Sequence, residues 1–282
     1  MAARAGSVRA RAPVAAAAEP VPDRPWTIIG GGRVGEALAG MGPGGDVVVR
    51  RGESLPANAP EGPIVVCTRN DVLDEIVDKC PEERRKDLVF IQNGMLQPWL
   101  DSRGLGDNTQ VLVYFAVAKK GDAPVDGKTD VNPEGLTAAT GPWAGAVAAR
   151  LAAGGLSCKV LGREEYAASM LEKLIWISAV MLVGARHGET VGEVEEKHQD
   201  EFAALVEELA TGGAQALGIA LQDGVVERLS AYSRSVAHFP TAVKEFEWRN
   251  GWFYAITERQ VTAGRPDPFP THTAWLEEVG AI

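Results

Sequence analysis

The apolar run Trp26-Thr27-Ile28-Ile29 passes directly into Gly30-Gly31-Gly32-Arg33-Val34-Gly35, and that into Glu36-Ala37-Leu38-Ala39. A β-branched run, a glycine cluster and an alanine-rich segment in this order predict a strand, a tight turn and a helix. Gly30 permits the turn. Gly32 leaves the backbone open to a close neighbour, and Gly35 lets the helix lie close against the strand. The helix N-terminus presents free N–H groups and the positive end of its dipole, which suits a phosphate group. The G-x-G-x-x-G spacing in this setting points to a dinucleotide pyrophosphate, with Gly30, Gly31, Gly32, Arg33, Val34 and Gly35 as its binding residues.

The end of the second expected strand selects between cofactors. Val47-Val48-Val49 is followed by Arg50 and Arg51, and Arg50 stands twenty residues after Gly30. An acid there would bind a ribose 2′-hydroxyl; a guanidinium instead binds a 2′-phosphate through forked, charge-assisted hydrogen bonds. NADP(H) is therefore expected rather than NAD, unless the two arginines are only solvated.

Short β-branched runs alternate with helical or Gly/Pro-rich segments from Trp26 to Leu161. Strands are expected over 27–29, 46–49, 64–68, 88–92, 111–118 and 157–161, and an amphipathic helix over 71–80. Beyond Gly162 the texture is helical, over 164–185, 193–217, 224–237 and 240–258, and strand-like punctuation returns only in the tail 264–273. The fold class expected is α/β, a doubly wound Rossmann sheet followed by an all-helical C-terminal domain, with a ligand cleft between them. The domains expected are 24–162 and 163–282.

Composition narrows the partners. A formal net charge of −10 opposes a nucleic-acid partner. The longest apolar stretch, Leu174 to Ala185, is too short to span a bilayer, so a soluble chain is expected. Cys67, Cys80 and Cys158 form neither a CxxC pair nor a metal-ligand spacing with the four histidines, so no metal is expected and the thiols read as small buried hydrophobes. His187 reads as a helix cap or surface residue. The Ala- and Arg-rich leader up to Asp23 resembles an organellar transit peptide for chloroplast or mitochondrion; as a plain disordered leader it would leave a cytoplasmic protein.

Three further segments, with the glycine loop, resemble the ketopantoate reductase (2-dehydropantoate 2-reductase) family. They are Phe90-Ile91-Gln92-Asn93-Gly94-Met95, Glu172-Lys173-Leu174 and Glu245-Phe246-Glu247-Trp248-Arg249-Asn250-Gly251-Trp252. The resemblance implies a helical domain like that of 6-phosphogluconate dehydrogenase and a reductase of a small 2-oxo acid or ketone. It implies Lys173 as proton donor and Glu245 as a substrate contact and partner of that lysine. It also implies Asn93 as a contact to cofactor and substrate, Thr68 and Arg69 beside the cofactor, Ser233 on the substrate, and room for a homodimer. Apart from the resemblance, Lys173 reads as a snorkelling lysine and Glu245 as an acid on a wetted face.

The departures are specific. The family carries two asparagines on the helix of the catalytic lysine, where this chain has Ile177 and Met181, and Leu96 replaces a glycine. Apolar side chains cannot replace the hydrogen bonds of those asparagines. A different carbonyl or imine substrate, or an NADP-binding protein without turnover, are the alternatives this leaves.

Overall fold

The computed structural model of the chain describes residues 24–282, so the leader expectation lies outside the described residues. The sheet-forming half runs β1 (Thr27–Ile29), α1 (Arg33–Gly40), β2 (Val47–Val49), β3 (Ile64–Val66), α2 (Leu73–Lys79), β4 (Leu88–Phe90), α3 (Gln97–Ser102), β5 (Thr109–Leu112), β6 (Ala138–Thr140), α4 (Ala144–Ala153) and β7 (Lys159–Val160). The rest is helical: α5 (Arg163–His187), α6 (Val191–Lys197), α7 (Gln199–Leu217), α8 (Val225–Ser235), α9 (Asn250–Thr262) and α10 (Pro270–Glu278).

The strands form one sheet in the order β2-β1-β3-β4-β5-β6-β7. Only the β5–β6 pair is antiparallel. The chain leaves β1 for β2 on one side and returns to β3 on the other, so a crevice opens at the carboxyl ends of β1 and β3. Period-two alternation fills both faces. Ile28, Val65, Val89 and Val111 pack with Leu38 of α1 and Val147 and Leu151 of α4. Their sequence neighbours Ile64, Val66, Leu88 and Phe90 pack on the other face with Leu73 and Val77 of α2 and Leu100 of α3.

Helix α5 is the core of the helical half and packs against α6, α7, α8, α10 and β6. Its Leu174, Ile175, Ala179, Val180, Leu182 and Val183 share a cluster with Leu112, Tyr114 and Ala138 of the sheet half. The apolar segment is longer than the sequence suggested: α5 has 25 residues, and by length and composition alone it could cross a membrane. Here 72% of its most apolar window is buried inside the protein, the pattern of a helix surrounded on all sides.

Several expected boundaries are corrected. The strand expected over 111–118 ends at Leu112, because the Tyr114 N–H turns to the Thr137 hydroxyl at 3.1 Å; beyond it only Ala116 bridges, to Val125. β6 and α4, built largely of alanine, were not foreseen. The helix expected over 193–217 is two helices broken at His198, the first opened by the Thr190/Glu193 capping box. The helix expected from Pro240 starts instead at Asn250: Pro240 bridges Thr190, and Glu245 lies in the left-handed region with φ 48. The tail 264–273 leads into α10, not into a strand.

One buried ion pair ties the first strands to α4. Arg150 is fully buried and bonds Asp46 at 2.7 Å, Arg24 O at 2.9 Å and Leu38 O at 3.1 Å, with its guanidinium 3.9 Å from the Trp26 ring. Asp46 also accepts the Trp26 N–H at 2.7 Å. Removing the acid strands a guanidinium in apolar surroundings, so Asp46→Ala is expected to cost about 3–5 kcal/mol in urea unfolding, with the slope unchanged.

Candidate active site

The glycine turn is held by the sheet. The Gly30 N–H donates to Val49 O at 2.9 Å, with φ 110 at Gly30. A Cβ on Gly35 would lie 1.9 Å from Gly30 O, so the close helix–strand approach admits no side chain. A Cβ on Gly32 would meet nothing within 4 Å, which is the open side of the turn. In front of it lies a cleft of about 670 Å³ lined by Gly30, Gly31, Gly32, Arg50, Arg51, Thr68, Arg69 and Lys120.

The side chains around this cleft are unevenly committed. Arg33 donates to Val117 O and Ala118 O at 3.2 and 3.0 Å, tying the turn to the loop after β5. From the same loop Lys120 reaches Gly31 O at 3.1 Å and Glu36 at 3.0 Å. Lys120 and then Arg50, 3.3 Å from Glu36, hold that carboxyl below the usual range. Arg50 donates its N–H to Glu53 at 2.6 Å, and Arg69 pairs with Asp71. Val34 packs against the core. The Thr68 hydroxyl oxygen, next to Gly30, is buried with no partner. Bare backbone, an orphaned hydroxyl and clustered cations fit the pyrophosphate and ribose of a dinucleotide. Lys120 was not foreseen, because only the fold of the loop after β5 brings it to the turn.

The Asn93 turn sits where the two halves meet. Gln92 Nε2 donates to Val66 O at 2.8 Å and Thr68 O at 3.1 Å, and Asn70 Nδ2 donates to Asn93 O at 3.2 Å. Gly94, with φ 105, presses on the distant Trp248: a Cβ there would be 2.4 Å from Trp248 O. The Met95 N–H donates to that same oxygen at 2.7 Å. The two sequence segments singled out around Asn93 and Glu245 are thus in direct contact.

Lys173, on α5, is 7% exposed. Its Nζ donates to Val113 O and lies 4.6 Å from the centre of the Tyr114 ring. Tyr114 packs edge-on against Tyr232 at 4.8 Å, and Tyr232 against Trp176 at 4.5 Å, so the ammonium rests on an aromatic wall. Burial first, and the Arg249 charge second, pull its pKa down to about 7.

Two expectations fail here. Glu245 does not pair with Lys173; it forms an ion pair with Arg249, four residues on. Ser233 is no cleft residue: it is 0% exposed, accepting from Trp176 Nε1 at 2.9 Å and donating to Leu229 O at 3.1 Å. The first bond joins α5 to α8, and the second lies within α8. Ile177 is buried and Met181 partly so, both within the α5 core. Arg249 was missed, since in sequence it is one more charge in a mixed run.

His187, expected as a helix cap or surface residue, is the exposed last residue of α5. His187 stacks on His198 at 3.7 Å and lies 3.0 Å from Glu201, while His198 lies 3.0 Å from Glu189. Ligand-type atoms of His187, His198 and Glu201 lie within 4.8 Å of one another. Arg186 also holds Glu201, at 2.5 Å, so that carboxylate already serves a cation.

No family profile matches the chain, and no curated protein sequence does. Solved structures share its fold. The ternary structure of D-mandelate dehydrogenase with NADH and anilino(oxo)acetate has a TM-score of 0.61 at 15% identity, covering 91% of this chain and 97% of that one. A PanE/ApbA family ketopantoate reductase from Ralstonia eutropha gives 0.61 at 17%, over 92% and 99%. A dimeric ketopantoate reductase from Staphylococcus aureus gives 0.58 at 17%, over 91% and 100%. These likenesses agree with a Rossmann sheet followed by a helical domain.

Burying Lys173 carries a stability cost whose pH dependence has a definite sign. Below about pH 7 the folded chain holds the charge, so the full cost is present; as pH rises from there toward 10.5, where an unfolded lysine titrates, the cost fades. Lys173→Met is therefore expected to raise the melting temperature, and to raise it more at pH 6 than at pH 10. An equal gain at both would mean that the lysine is not held at a depressed pKa.

Proposed function

We propose that this chain is an NADPH-dependent reductase of small 2-oxo acids, a divergent member of the ketopantoate reductase superfamily. The observation that carries this reading is Lys173: a buried lysine on an aromatic wall, with a pKa near 7, on the sheet side of the helical half. A general acid works best when its pKa lies near the working pH. The structural likeness to enzymes named for ketopantoate and D-mandelate, one of them holding NADH and anilino(oxo)acetate, supports the same chemistry.

When bound, the nicotinamide cofactor supplies the hydride. The chain's residues supply the rest. Gly30, Gly31 and Gly32 with the N-terminus of α1 cradle the pyrophosphate, and Thr68 offers its unpartnered hydroxyl. Arg50 and Arg51 meet the 2′-phosphate; Arg50 then exchanges its contact with Glu36 for the phosphate. Asn93, on a turn held by Asn70 and Trp248, positions cofactor and substrate. Lys173 donates its Nζ proton to the carbonyl oxygen as hydride adds to carbon. The Val113 carbonyl and the Tyr114 face aim and stabilise the ammonium before transfer. The dimeric state of the Staphylococcus aureus enzyme makes a homodimer the assembly expected here.

Ile177 and Met181 favour a second reading, in which the scaffold binds NADPH without turnover. One assay separates the two: NADPH oxidation by residues 24–282 across a panel of 2-oxo acids including ketopantoate and benzoylformate. Turnover is expected, with Lys173→Ala losing about a hundredfold or more. The reductive kcat/KM is expected to fall as pH rises through about 7, because the donor is then deprotonated. Tight NADPH binding with no oxidation of any substrate would leave the binding-protein reading standing. For the cofactor, Arg50→Ala is expected to weaken NADPH about tenfold and NADH hardly at all, measured by calorimetry; equal loss on both would remove the preference for NADPH.

A further inference from the structure

Ile177 and Met181 follow Lys173 by four and eight residues on α5 and offer no hydrogen-bond donor. The structure offers a donor elsewhere. Arg249 follows Trp248, whose carbonyl takes the Met95 N–H, so it stands where the Asn93 turn meets the helical half. Its side chain is 11% exposed. Its only hydrogen-bond partner among the described residues is Glu245, through Nη2. Its Nε is buried with no partner at all. A guanidinium has five N–H groups in a fixed fork, and a buried one left unpaired costs free energy. Burial makes the charge costlier still, which Glu245 offsets only in part. Glu245 itself is held with φ 48, the only non-glycine residue at positive φ among the described residues. Strain of this kind clusters at ligand sites.

The electrostatics point the same way. Lys173 and Arg249 are two cations near enough that one depresses the titration of the other. Among the described residues Glu245, 30% exposed, is the one carboxylate paired with either, which leaves two cations to one acid. In a 2-oxo acid the carboxylate is bonded directly to the reacting carbonyl carbon, so its cation must stand close to the proton donor.

We infer that Arg249 is the substrate's carboxylate anchor: with Glu245 holding Nη2, the free edge of the guanidinium binds the carboxylate of a 2-oxo acid whose carbonyl oxygen faces Lys173. This rests on the reductase reading above and adds the residue that holds the substrate's carboxylate. The site selects anionic 2-oxo acids over their esters and amides, through a residue of the helical half other than α5. The carbon chain beyond the carbonyl is left to apolar surroundings, so it need carry no hydroxyl.

The test compares a 2-oxo acid with its methyl ester on the full chain with NADPH. Wild type is expected to prefer the acid by about a hundredfold or more in kcat/KM. Arg249→Gln is expected to lose most of that preference: the acid falls about a hundredfold, the ester changes little, and added guanidinium ion restores part of the acid rate. NADPH affinity stays the same. If acid and ester fall together, or guanidinium ion restores nothing, Arg249 is only the structural partner of Glu245 and the inference fails. Calorimetry on wild type bound to NADPH covers a variant that does not fold. Oxamate, an unreactive 2-oxo acid analogue, is expected to bind and its neutral relative oxamide to bind at least about thirtyfold more weakly; equal binding overturns the inference. Should wild type oxidise no NADPH yet bind oxamate selectively, the reductase reading falls and the anion site stands.

Discussion

A single backbone hydrogen bond, from the Met95 N–H to Trp248 O, joins the sheet half to the helical half at the site. It exists because Gly94 has no Cβ to keep Trp248 away. Through it the turn after β4 is registered against the segment that opens α9. Asn93 then lies beside Trp248 and Arg249, and Lys173 reaches across from α5 to Val113 just beyond β5. Loss of that approach would leave the halves packed through α5 and β6 but would release the Asn93 turn from the segment that opens α9. The same carboxyl-end edge carries the glycine turn after β1 and Thr68 after β3, so the crevice at the topological switch point and the helical wall face one another.

Charge is handled differently in the two buried regions. At Arg150 the ion pair with Asp46 is nearly complete, and backbone carbonyls take further donors, so the guanidinium acts as a structural tie. At Lys173 and Arg249 the account is left open: one acid faces two cations, and an Nε has no partner. Uncompensated burial of this sort lowers stability and is tolerated where a ligand completes it. The contrast separates a structural arginine from one held ready for an anion more clearly than burial does, since Arg150 is the more buried of the two.

Much of the sheet half was legible. The glycine spacing, the β-branched runs and the helix after Asp71 announce themselves through local chemistry, and both-face burial explains why β3 and β4 read as unbroken apolar triplets. β6 and α4 were missed because alanine carries no periodic contrast. The break at His198 and the irregular stretch before Asn250 were missed because one non-helical residue, His198, and one positive-φ residue, Glu245, interrupt otherwise helical sequence. The histidine pair escaped notice because His187 and His198 close over α6, from the end of α5 to the start of α7, a spacing no ligand pattern predicts.

Residue roles divide along the same line. By itself the sequence determined the strand–turn–helix at Gly30, the apolar helix carrying Lys173, the absence of asparagine at 177 and 181, and the arginines after β2, because these depend on residue type and near neighbours. Tertiary structure alone decided what each polar group does. It gave Ser233 to Trp176, Glu245 to Arg249 and Lys120 to the glycine turn, and it left Thr68 and Arg249 with donors or acceptors unspent. The reason is physical: a polar side chain's role is set by which partners reach it within about 3 Å after burial, and for Ser233 and Lys120 those partners lie tens of residues away along the chain.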